Sequence, residues 1–371
     1  MTDHAGPESN AIERLVSEVE PGRALGALLG LAVGDALGTT LEFERLPAPR
    51  FPRLAQGPHR SVTGGGPFGV AAGQVTDDTQ MAVCLFESLL DRRAVDSPDI
   101  ARRYVAWSEH AFDVGSQTSA ALAVVAGGAP PAAAGRMIWE RRGRQAAGNG
   151  SLMRTAPIGV LLGQAPRECA RGSLVESEIT HSDPRCRLAC AALNAGISHA
   201  LARASTPAAL VDHMEASLAA AAALLGEDEA DLIDEVNQAH AALRRDLDAA
   251  RAPDPELYGP ELHIHEQQGF VRVAFRLAAW ELVHAPSYEA ALIDVVNRGG
   301  DADTNGAITG ALLGAFHSVE AIPRAWLAAV VHALEGPHHA DPLLATELHP
   351  RAFITGLEQL YGRPLLPRDL R

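Results

Sequence analysis

The sequence predicts an all-α fold, and three features of the chain support this prediction. Segments rich in alanine and leucine carry apolar residues at three- and four-residue spacing along most of the chain. Alternating, strand-like runs are scarce. Aromatic residues make up only 5% of the chain, so small side chains on closely packed helices must build the core. The predicted helices cover residues 22–37, 79–92, 99–112, 117–127, 186–203, 207–225, 229–250, 267–284, 287–296, 305–318, 323–334 and 350–361.

Two of these helices carry a glycine at every fourth position. The segment "GRALGALLGLAVGDALG" has glycine at 22, 26, 30, 34 and 38, and the spacing recurs at 306, 310 and 314. An interior glycine costs about 1 kcal/mol relative to alanine, which is tolerable where another backbone approaches closely. We therefore expect two central helices from opposite ends of the chain, packed closely against neighbours or against each other. This predicts one domain over residues 22–365, after a flexible segment 1–21.

The longest non-helical stretch is residues 39–75. It holds five prolines and the triplet Gly64-Gly65-Gly66. Structureless segments of this length inside a domain are often lids or binding loops. Residues 141–154 and 251–269 are predicted to form two further loops.

Composition narrows the classes of function. The 371 residues carry a net charge of −15, which disfavours binding of nucleic acid through bulk electrostatics. The chain contains no lysine, which excludes a Schiff-base or P-loop lysine. The N-terminus lacks a basic signal region, and the apolar run 24–33 is too short to span a bilayer, so we expect a cytoplasmic protein with no membrane partner.

The four cysteines include no CxxC pair, which fits a reducing compartment. Cys186 and Cys190 are one helical turn apart and follow His181. A zinc site is conceivable there, but small buried cysteines on a helix face are commoner.

Two predicted helices begin with paired carboxylates and a threonine. Thr76-Asp77-Asp78 precedes the helix "QMAVCLFESLL", and alone it reads as an N-cap with acids in the first turn. Asp301-Ala-Asp303-Thr304 occupies the same place before the second glycine-spaced helix. A cap needs only one such side chain, and clustered carboxylates repel unless they are neutralised. Together the clusters favour a site for a hard divalent cation, Mg²⁺ or Mn²⁺.

Two other interpretations of the second cluster were weighed. "DADTNG" matches the start of an EF-hand loop, but the twelfth position, which should be glutamate, is Leu312. An aspartyl-phosphate phosphatase needs its first aspartate at the end of a strand. Here Arg298-Gly299-Gly300 intervenes after a predicted helix, so a phosphohydrolase stays only as a weak alternative.

Six motifs occur in order along the chain: "GLAVGDALGTTLEF" (30–43), "VTGGGPFGVAAGQVTDDTQMA" (62–82), "FDVGSQT" (112–118), "GNGSLMRTAPIGV" (148–160), "THSDP" (180–184) and "NRGGDADTNGAITGALLGA" (297–315). Together they resemble the ADP-ribosylglycohydrolase family, most closely its branch that includes the dinitrogenase reductase-activating glycohydrolase. The resemblance spans about residues 22–360. It implies an all-α fold with two magnesium or manganese ions in a cleft.

The resemblance also implies roles for individual residues. The metal ligands are expected to be Thr76, Asp77, Asp78, Asp301, Asp303 and Thr304. Glu42 resembles the family glutamate near the metals, and Asp113, Gly115 and Ser116 match a loop beside the distal ribose and diphosphate. Asn149, Gly150 and Ser151 match a loop lining the ADP-ribose cleft, and His181 is similar to a diphosphate-side histidine. Phe270 stands where the nearest branch would have tyrosine.

The expected function is removal of ADP-ribose from modified protein side chains by a metal-dependent hydrolase, with arginine linkage favoured. Glu42, Asp303 and Asp113 are the candidate acid and base, with the order of their roles open. The expected partners are an ADP-ribosylated protein and ADP-ribose as product, and nucleic acid only if it is itself ADP-ribosylated. The alternatives are a catalytically silent ADP-ribose-binding or crystallin-like relative, and the phosphohydrolase.

Overall fold

Helices fill most of the chain in the structure, a computed structural model that describes residues 9–47, 50–51, 57–202, 205–333, 343 and 347–370. Among these residues only isolated β-bridges occur in place of strands. The α-helices are α1 (Ser9–Glu18), α2 (Pro21–Gly38), α3 (Asp77–Arg92), α4 (Ser97–Ser108), α5 (Ser116–Ala126), α6 (Pro131–Arg141), α7 (Ala156–Leu161), α8 (Pro166–Glu178), α9 (Pro184–Ala202), α10 (Pro207–Asp228), α11 (Ile233–Ala250), α12 (Val271–His284), α13 (Tyr288–Val296), α14 (Ala302–His317), α15 (Arg324–Val331) and α16 (Arg351–Tyr361). The predicted all-α class is confirmed.

Each predicted helix is present, with ends that move by a few residues. Besides α1, three helices were not predicted: α6, α7 and α8. They are short or contain an interior glycine, which weakens the local helical signal. Gly135 shows what stabilises α6 instead, because a Cβ at this position would lie within 3.0 Å of the carbonyl oxygen of Glu178. Close packing against the end of α8, rather than local propensity, therefore forms this part of the fold.

The two glycine-spaced helices, α2 and α14, pack against each other. They run antiparallel, with Gly26 opposite Gly314, Gly30 opposite Gly310 and Gly34 opposite Gly306. A Cβ on any of the six would lie within 3.0 Å of the facing carbonyl oxygen. The glycine spacing thus lets two backbones touch at the centre of the molecule. It also brings the C-terminal half of α2 to the N-terminus of α14.

The expected flexible segment 1–21 contains a helix, α1. Ile12 and Leu15 on this helix are buried in the core. The Tyr361 hydroxyl at the end of α16 donates to the Leu15 carbonyl oxygen over 3.3 Å. Burial of Ile12 and Leu15, together with this hydrogen bond, therefore holds α1 in place, while residues 1–8 lie outside the described chain.

Helices α2 and α10 are each long and apolar enough to cross a membrane. The apolar part of α2 is longer than the run 24–33 that was judged too short. Most of it, 89%, is buried inside the protein, so α2 serves here as a core helix.

The loop that follows α2 folds back over the starts of α3 and α14. Gly66 lies against the carbonyl oxygen of Thr39, and the Thr40 hydroxyl donates to the Gly64 carbonyl oxygen over 2.9 Å. Asn297 at the end of α13 ties down another part of the loop. Its Oδ1 accepts from the His59 N–H over 3.0 Å, and its Nδ2 donates to the His59 carbonyl oxygen over 2.7 Å. The described part of the loop is therefore attached on two sides.

Candidate active site

A buried aspartate on α2 organises the first acidic cluster. Asp35 is fully buried and interrupts an otherwise apolar helix. Its carboxylate accepts hydrogen bonds from the backbone N–H and hydroxyl of both Thr76 and Thr79, over 2.6 to 3.2 Å. These bonds satisfy N–H groups at the start of α3 and fix the turn that carries Asp77 and Asp78. Asp35 lies within the motif "GLAVGDALGTTLEF", whose sequence alone does not indicate this role.

The second acidic cluster meets the first because α14 packs against α2. The Thr304 hydroxyl lies 3.4 Å from Asp78 Oδ2, and the Thr76 hydroxyl donates to the same oxygen over 3.2 Å. Asp303 Oδ1 accepts the Thr304 N–H over 2.8 Å. Residues more than 200 positions apart along the chain thus form one cluster of oxygen donors.

A glycine turn before α14 adds Glu42 to this cluster. Gly299 and Gly300 have φ values of 67° and 69°, a left-handed conformation that glycine adopts without strain. Gly300 accepts the Phe43 N–H over 2.6 Å and donates its own N–H to the Glu44 carbonyl oxygen over 2.9 Å. The residues on either side of Glu42 are therefore held against the start of α14. Carboxylate oxygens of Glu42, Asp113 and Asp303 lie within 4.8 Å of one another.

Burial raises the pKa of every carboxyl in the cluster, and neighbouring negative charges raise most of them further. Burial, followed by the charge of Asp113, raises the pKa of Glu42 from 4.5 to about 9. Burial and the charges of Asp35 and Asp301 raise the pKa of Asp113 from 3.8 to about 7. Burial likewise holds the pKa values of Asp77, Asp78 and Asp303 well above their ordinary value. Without a cation, the folded protein therefore carries these groups at a free-energy cost or keeps them protonated.

The donor set fits a hard divalent cation. Glu42 Oε2 and Asp78 Oδ1 are buried and have no hydrogen-bond partner in the structure. Among the described residues, no arginine or histidine forms an ion pair with Asp77, Asp78, Asp301 or Asp303. All the available ligand atoms are carboxylate and hydroxyl oxygens, which Mg²⁺ and Mn²⁺ prefer. Capping alone leaves these unpartnered oxygens unexplained.

The cysteines do not belong to this site. All four are free and buried. The Cys186 thiol lies 3.2 Å from the Gly148 carbonyl oxygen, and the Cys190 thiol lies 3.5 Å from the Ser151 hydroxyl. They behave as small core residues, as the commoner interpretation had it.

The carboxylates form one end of a cavity of about 340 Å³, within the range of roughly 300–1,000 Å³ typical of small-molecule sites. From this end the walls continue along the start of α5, the loop before α7 and the loop before α12. The lining residues are Glu42, Phe43, Asp77, Asp113, Gly115, Ser116, Gln117, Thr118, Gly148, Asn149, Gly150, Met153, His181, Gln268, Gly269, Asp301, Asp303 and Thr304. The cavity is thus acidic at one end and lined by glycine, amide and hydroxyl groups along the rest.

His181 offers a fixed hydrogen-bond donor to this cavity. Its Nδ1 lies 2.7 Å from the Thr180 hydroxyl oxygen, which accepts a hydrogen bond from Arg154 over 2.9 Å. Arginine can only donate, and the Thr180 hydroxyl proton has no other acceptor among the described residues. The Thr180 proton therefore points at Nδ1, which leaves the His181 proton on Nε2. Burial, followed by the charge of Arg154, lowers the pKa of His181 well below 6.5 and keeps the ring neutral.

Arg154 is held in turn by a buried ion pair. Its Nε donates to Glu176 Oε1 over 2.7 Å, and the Tyr104 hydroxyl donates to the same oxygen over 2.8 Å. Both members of the pair are fully buried. Because breaking a buried ion pair is costly, this network holds the Thr180 hydroxyl and the His181 ring in place.

Most of the predicted substrate-side residues line the cavity, but Ser151 does not. It is fully buried, and its hydroxyl oxygen accepts a hydrogen bond from Ser177 over 2.8 Å behind the cavity wall. Asn149 lines the cavity and also contacts the acidic cluster, because its Nδ2 donates a hydrogen bond to Asp301 Oδ2 over 2.8 Å. Phe270 follows the lining residue Gly269, and the guanidinium of Arg185 lies 5.5 Å from the centre of its ring.

Several lining residues were not singled out from the sequence, among them Gln117, Thr118, Met153 and Gln268. Gln117 and Thr118 directly follow the predicted Gly115-Ser116, so their place in the first turn of a helix was the available signal. Gln268 lies in the predicted loop 251–269, which offered no usable motif.

The fold and the site together define a class: all-helical proteins in which two helices, here α3 and α14, begin in one carboxylate cluster at one end of a polar cleft. The sequence profile of the family described as ADP-ribosylglycohydrolase matches residues 17–354. The chain belongs to this family, and it is a hydrolase of the ADP-ribosylglycohydrolase type.

Proteins with similar sequences carry names of the same family. The ADP-ribosyl-[dinitrogen reductase] glycohydrolase of Rhodospirillum rubrum is 30% identical over 87% of this chain and 96% of its own length. The ADP-ribosylarginine hydrolase Tri1 of Pseudomonas putida is 29% identical over 89% of this chain and 78% of its own length. A solved structure titled ADP-ribosylglycohydrolase-related protein complex matches with a TM-score of 0.66 at 30% identity, over 92% of this chain and 98% of that one.

Proposed function

We propose that this protein hydrolyses the glycosidic bond between the distal ribose of ADP-ribose and an arginine side chain of a modified protein, with two Mg²⁺ or Mn²⁺ ions held by the acidic cluster. The observation that carries the proposal is the buried group of carboxylates from α3 and α14, with unpartnered oxygens, at one end of a polar cavity. The arginine linkage is supported by the name of one relative, the ADP-ribosylarginine hydrolase of Pseudomonas putida.

The cavity suits a ligand with a diphosphate. The His181 Nε2–H is an uncharged donor on its wall. The backbone of Gly115-Ser116 lies at the N-terminus of α5, where free N–H groups and the helix dipole favour an anion. We assign these groups to the diphosphate and the acidic end to the distal ribose.

The acidic cluster provides the ligands of the proposed cations. Thr76, Asp77, Asp78, Asp301, Asp303 and Thr304 are the residues that would hold them. Bound cations would neutralise the carboxylates, orient the ribose hydroxyls and lower the pKa of an attacking water. The protein itself fixes the ligand positions through Asp35 and Asn149, which hold the Thr76 turn and Asp301.

Hydrolysis requires two proton transfers at the ribose carbon. As the bond from this carbon to the guanidine nitrogen breaks and a bond to water oxygen forms, one group takes a proton from water and another gives one to the nitrogen. Glu42 and Asp113 lie on the cavity wall, and their carboxyls carry raised pKa values of about 9 and about 7. We assign the two transfers to Glu42, Asp113 and Asp303, whose oxygens share one small volume.

A linkage panel tests the proposed function. With Mg²⁺ or Mn²⁺, we expect release of ADP-ribose from ADP-ribosylarginine, and a fall on the order of a hundredfold or more in excess EDTA. The panel includes serine- and nucleobase-linked ADP-ribose, with product release followed by chromatography. Full activity in excess EDTA would refute the metal dependence. Binding of ADP-ribose without turnover on any linkage would identify a silent relative, and phosphate release would identify a phosphohydrolase.

The raised pKa values predict a pH-dependent response to cations. Between pH 4.5 and about 9, folded metal-free protein retains the Glu42 proton, whereas the unfolded chain has lost it. Because the folded state binds more protons, its stability falls as pH rises through this window. Since cations bind the deprotonated carboxylates, Mn²⁺ should raise the melting temperature more at pH 8 than at pH 5. Thermal unfolding at both pH values, with and without Mn²⁺, checks this, and an equal shift at both would contradict it.

A further inference from the structure

Three aromatic rings form a row at the acidic end of the cavity. Phe43 follows Glu42, Phe112 precedes Asp113, and Phe68 from the glycine-rich loop lies between them. The ring centres of Phe43 and Phe68 are 6.5 Å apart, and those of Phe68 and Phe112 are 5.9 Å apart, both edge-to-face. We call these three residues the aromatic rim. Two of the clustered carboxylates, Glu42 and Asp113, therefore have an aromatic neighbour in sequence on this rim.

Phe43 is the member most open to solvent. Its side chain is 51% exposed, whereas the adjacent Glu42 is 6% exposed. Its φ of 61° is a conformation that costs a residue with a side chain free energy. The 2.6 Å hydrogen bond from the Phe43 N–H to the Gly300 carbonyl oxygen holds this conformation. The turn thus directs Glu42 inward and leaves the Phe43 side chain largely exposed. Phe43 is also one of the residues that line the cavity.

The surroundings of the rim favour a cationic ligand group. No arginine lines the cavity among the described residues, and its one histidine is neutral. The ionisable groups that cluster with Glu42, the residue before Phe43, are the carboxyls of Asp113 and Asp303. An aromatic face attracts a cation within about 6 Å of the ring centre, and a planar guanidinium can also stack on it.

We propose that Phe43, supported by Phe68 and Phe112, binds the guanidinium of the modified arginine and so selects arginine-linked substrates. The inference rests on the proposed function, since it concerns the group attached to the distal ribose. ADP-ribose itself ends at that ribose and lacks the guanidinium. Phe43 therefore contributes to binding of the intact substrate but not of ADP-ribose.

The test compares Phe43→Leu with Phe43→Tyr, which keeps an aromatic face. KM and kcat are measured for ADP-ribosylarginine, and ADP-ribose is measured as a competitive inhibitor. In Phe43→Leu, we expect KM for ADP-ribosylarginine to rise about tenfold, as expected for a lost cation–π contact, while the inhibition constant of ADP-ribose stays within about twofold. Phe43→Tyr should remain close to wild type in both.

Four results would overturn the inference. A parallel rise of KM and of the ADP-ribose inhibition constant would show that Phe43 contacts ADP-ribose or only supports the loop. An unchanged KM in Phe43→Leu would show that the ring contributes nothing to binding. If the wild-type protein released ADP-ribose from serine but not from arginine, its substrate would carry no guanidinium for Phe43 to bind, although the protein would still be a glycohydrolase. A wild type inactive on every linkage would instead refute the proposed function, and the inference with it.

Discussion

Asp78→Asn is expected to abolish hydrolysis without destabilising the metal-free protein. Asp78 is fully buried, its Oδ1 has no partner, and burial holds its pKa well above 3.8. Asparagine keeps the shape but removes the charge that a cation needs. We expect the rate of ADP-ribose release to fall on the order of a thousandfold, equivalent to about 4 kcal/mol. The rise in melting temperature on adding Mn²⁺ should also disappear, while the metal-free melting temperature stays equal or rises.

Asp246→Asn is the matched control. Asp246 is also fully buried, but it pairs with Arg272 and Arg276 over 2.5 to 2.9 Å and does not line the cavity. Removing its charge breaks the buried ion pairs with both arginines and leaves Arg272 only its pair with the largely exposed Glu261, so we expect a loss of about 3–5 kcal/mol in unfolding free energy. The Mn²⁺-induced shift should remain. If Asp78→Asn kept wild-type activity or the full Mn²⁺ shift, the acidic cluster would not be a cation site.

Gly34→Val is expected to disrupt the fold. A Cβ at Gly34 would lie within 3.0 Å of three backbone atoms of α14, in Gly306 and Ala307. Backbone atoms of a buried helix cannot move aside as the end of a side chain can, so α2 and α14 must separate. We expect a loss of at least about 3 kcal/mol in unfolding free energy, at or beyond the usual range for overpacked cores. Denaturant unfolding followed by circular dichroism measures it.

Gly226→Ala provides the comparison. Gly226 also lies within a helix, α10, but its Cβ would meet only the Cδ1 atom of Ile233, a half-exposed side chain that can rotate away. Alanine should therefore leave stability unchanged or raise it by up to about 1 kcal/mol through helix propensity. A Gly34→Val protein as stable as wild type would show that the close approach of α2 and α14 is not required.

Local patterns predicted much of the fold. Apolar periodicity located most of the long helices, and the fourfold glycine spacing predicted that two of them pack closely. α6, α7 and α8 were missed because packing, as at Gly135 against α8, supplies what their local sequence lacks. Helix α1 was missed for a similar reason, since contacts with distant segments hold it, such as the hydrogen bond from Tyr361 on α16.

The site was predicted as a set of residues rather than as an arrangement. The two acidic helix starts and their preference for a hard cation follow from residue types and spacing. Asp35 was overlooked because its function is to accept hydrogen bonds from Thr76 and Thr79, more than 40 positions further along. Ser151 was placed on the cleft by its motif, whereas it faces Ser177 behind the wall.

The sequence by itself determined the helical class, the two glycine ridges and the oxygen-only donor set, because each is written in neighbouring residues. The tertiary structure alone decided the register in which Gly34 meets Gly306, and hence that Asp78 and Thr304 share one site. It also decided that Glu42 turns inward while Phe43 stays exposed, since a hydrogen bond to Gly300 sets that turn. Such relations depend on contacts between distant segments, which local periodicity and spacing do not encode.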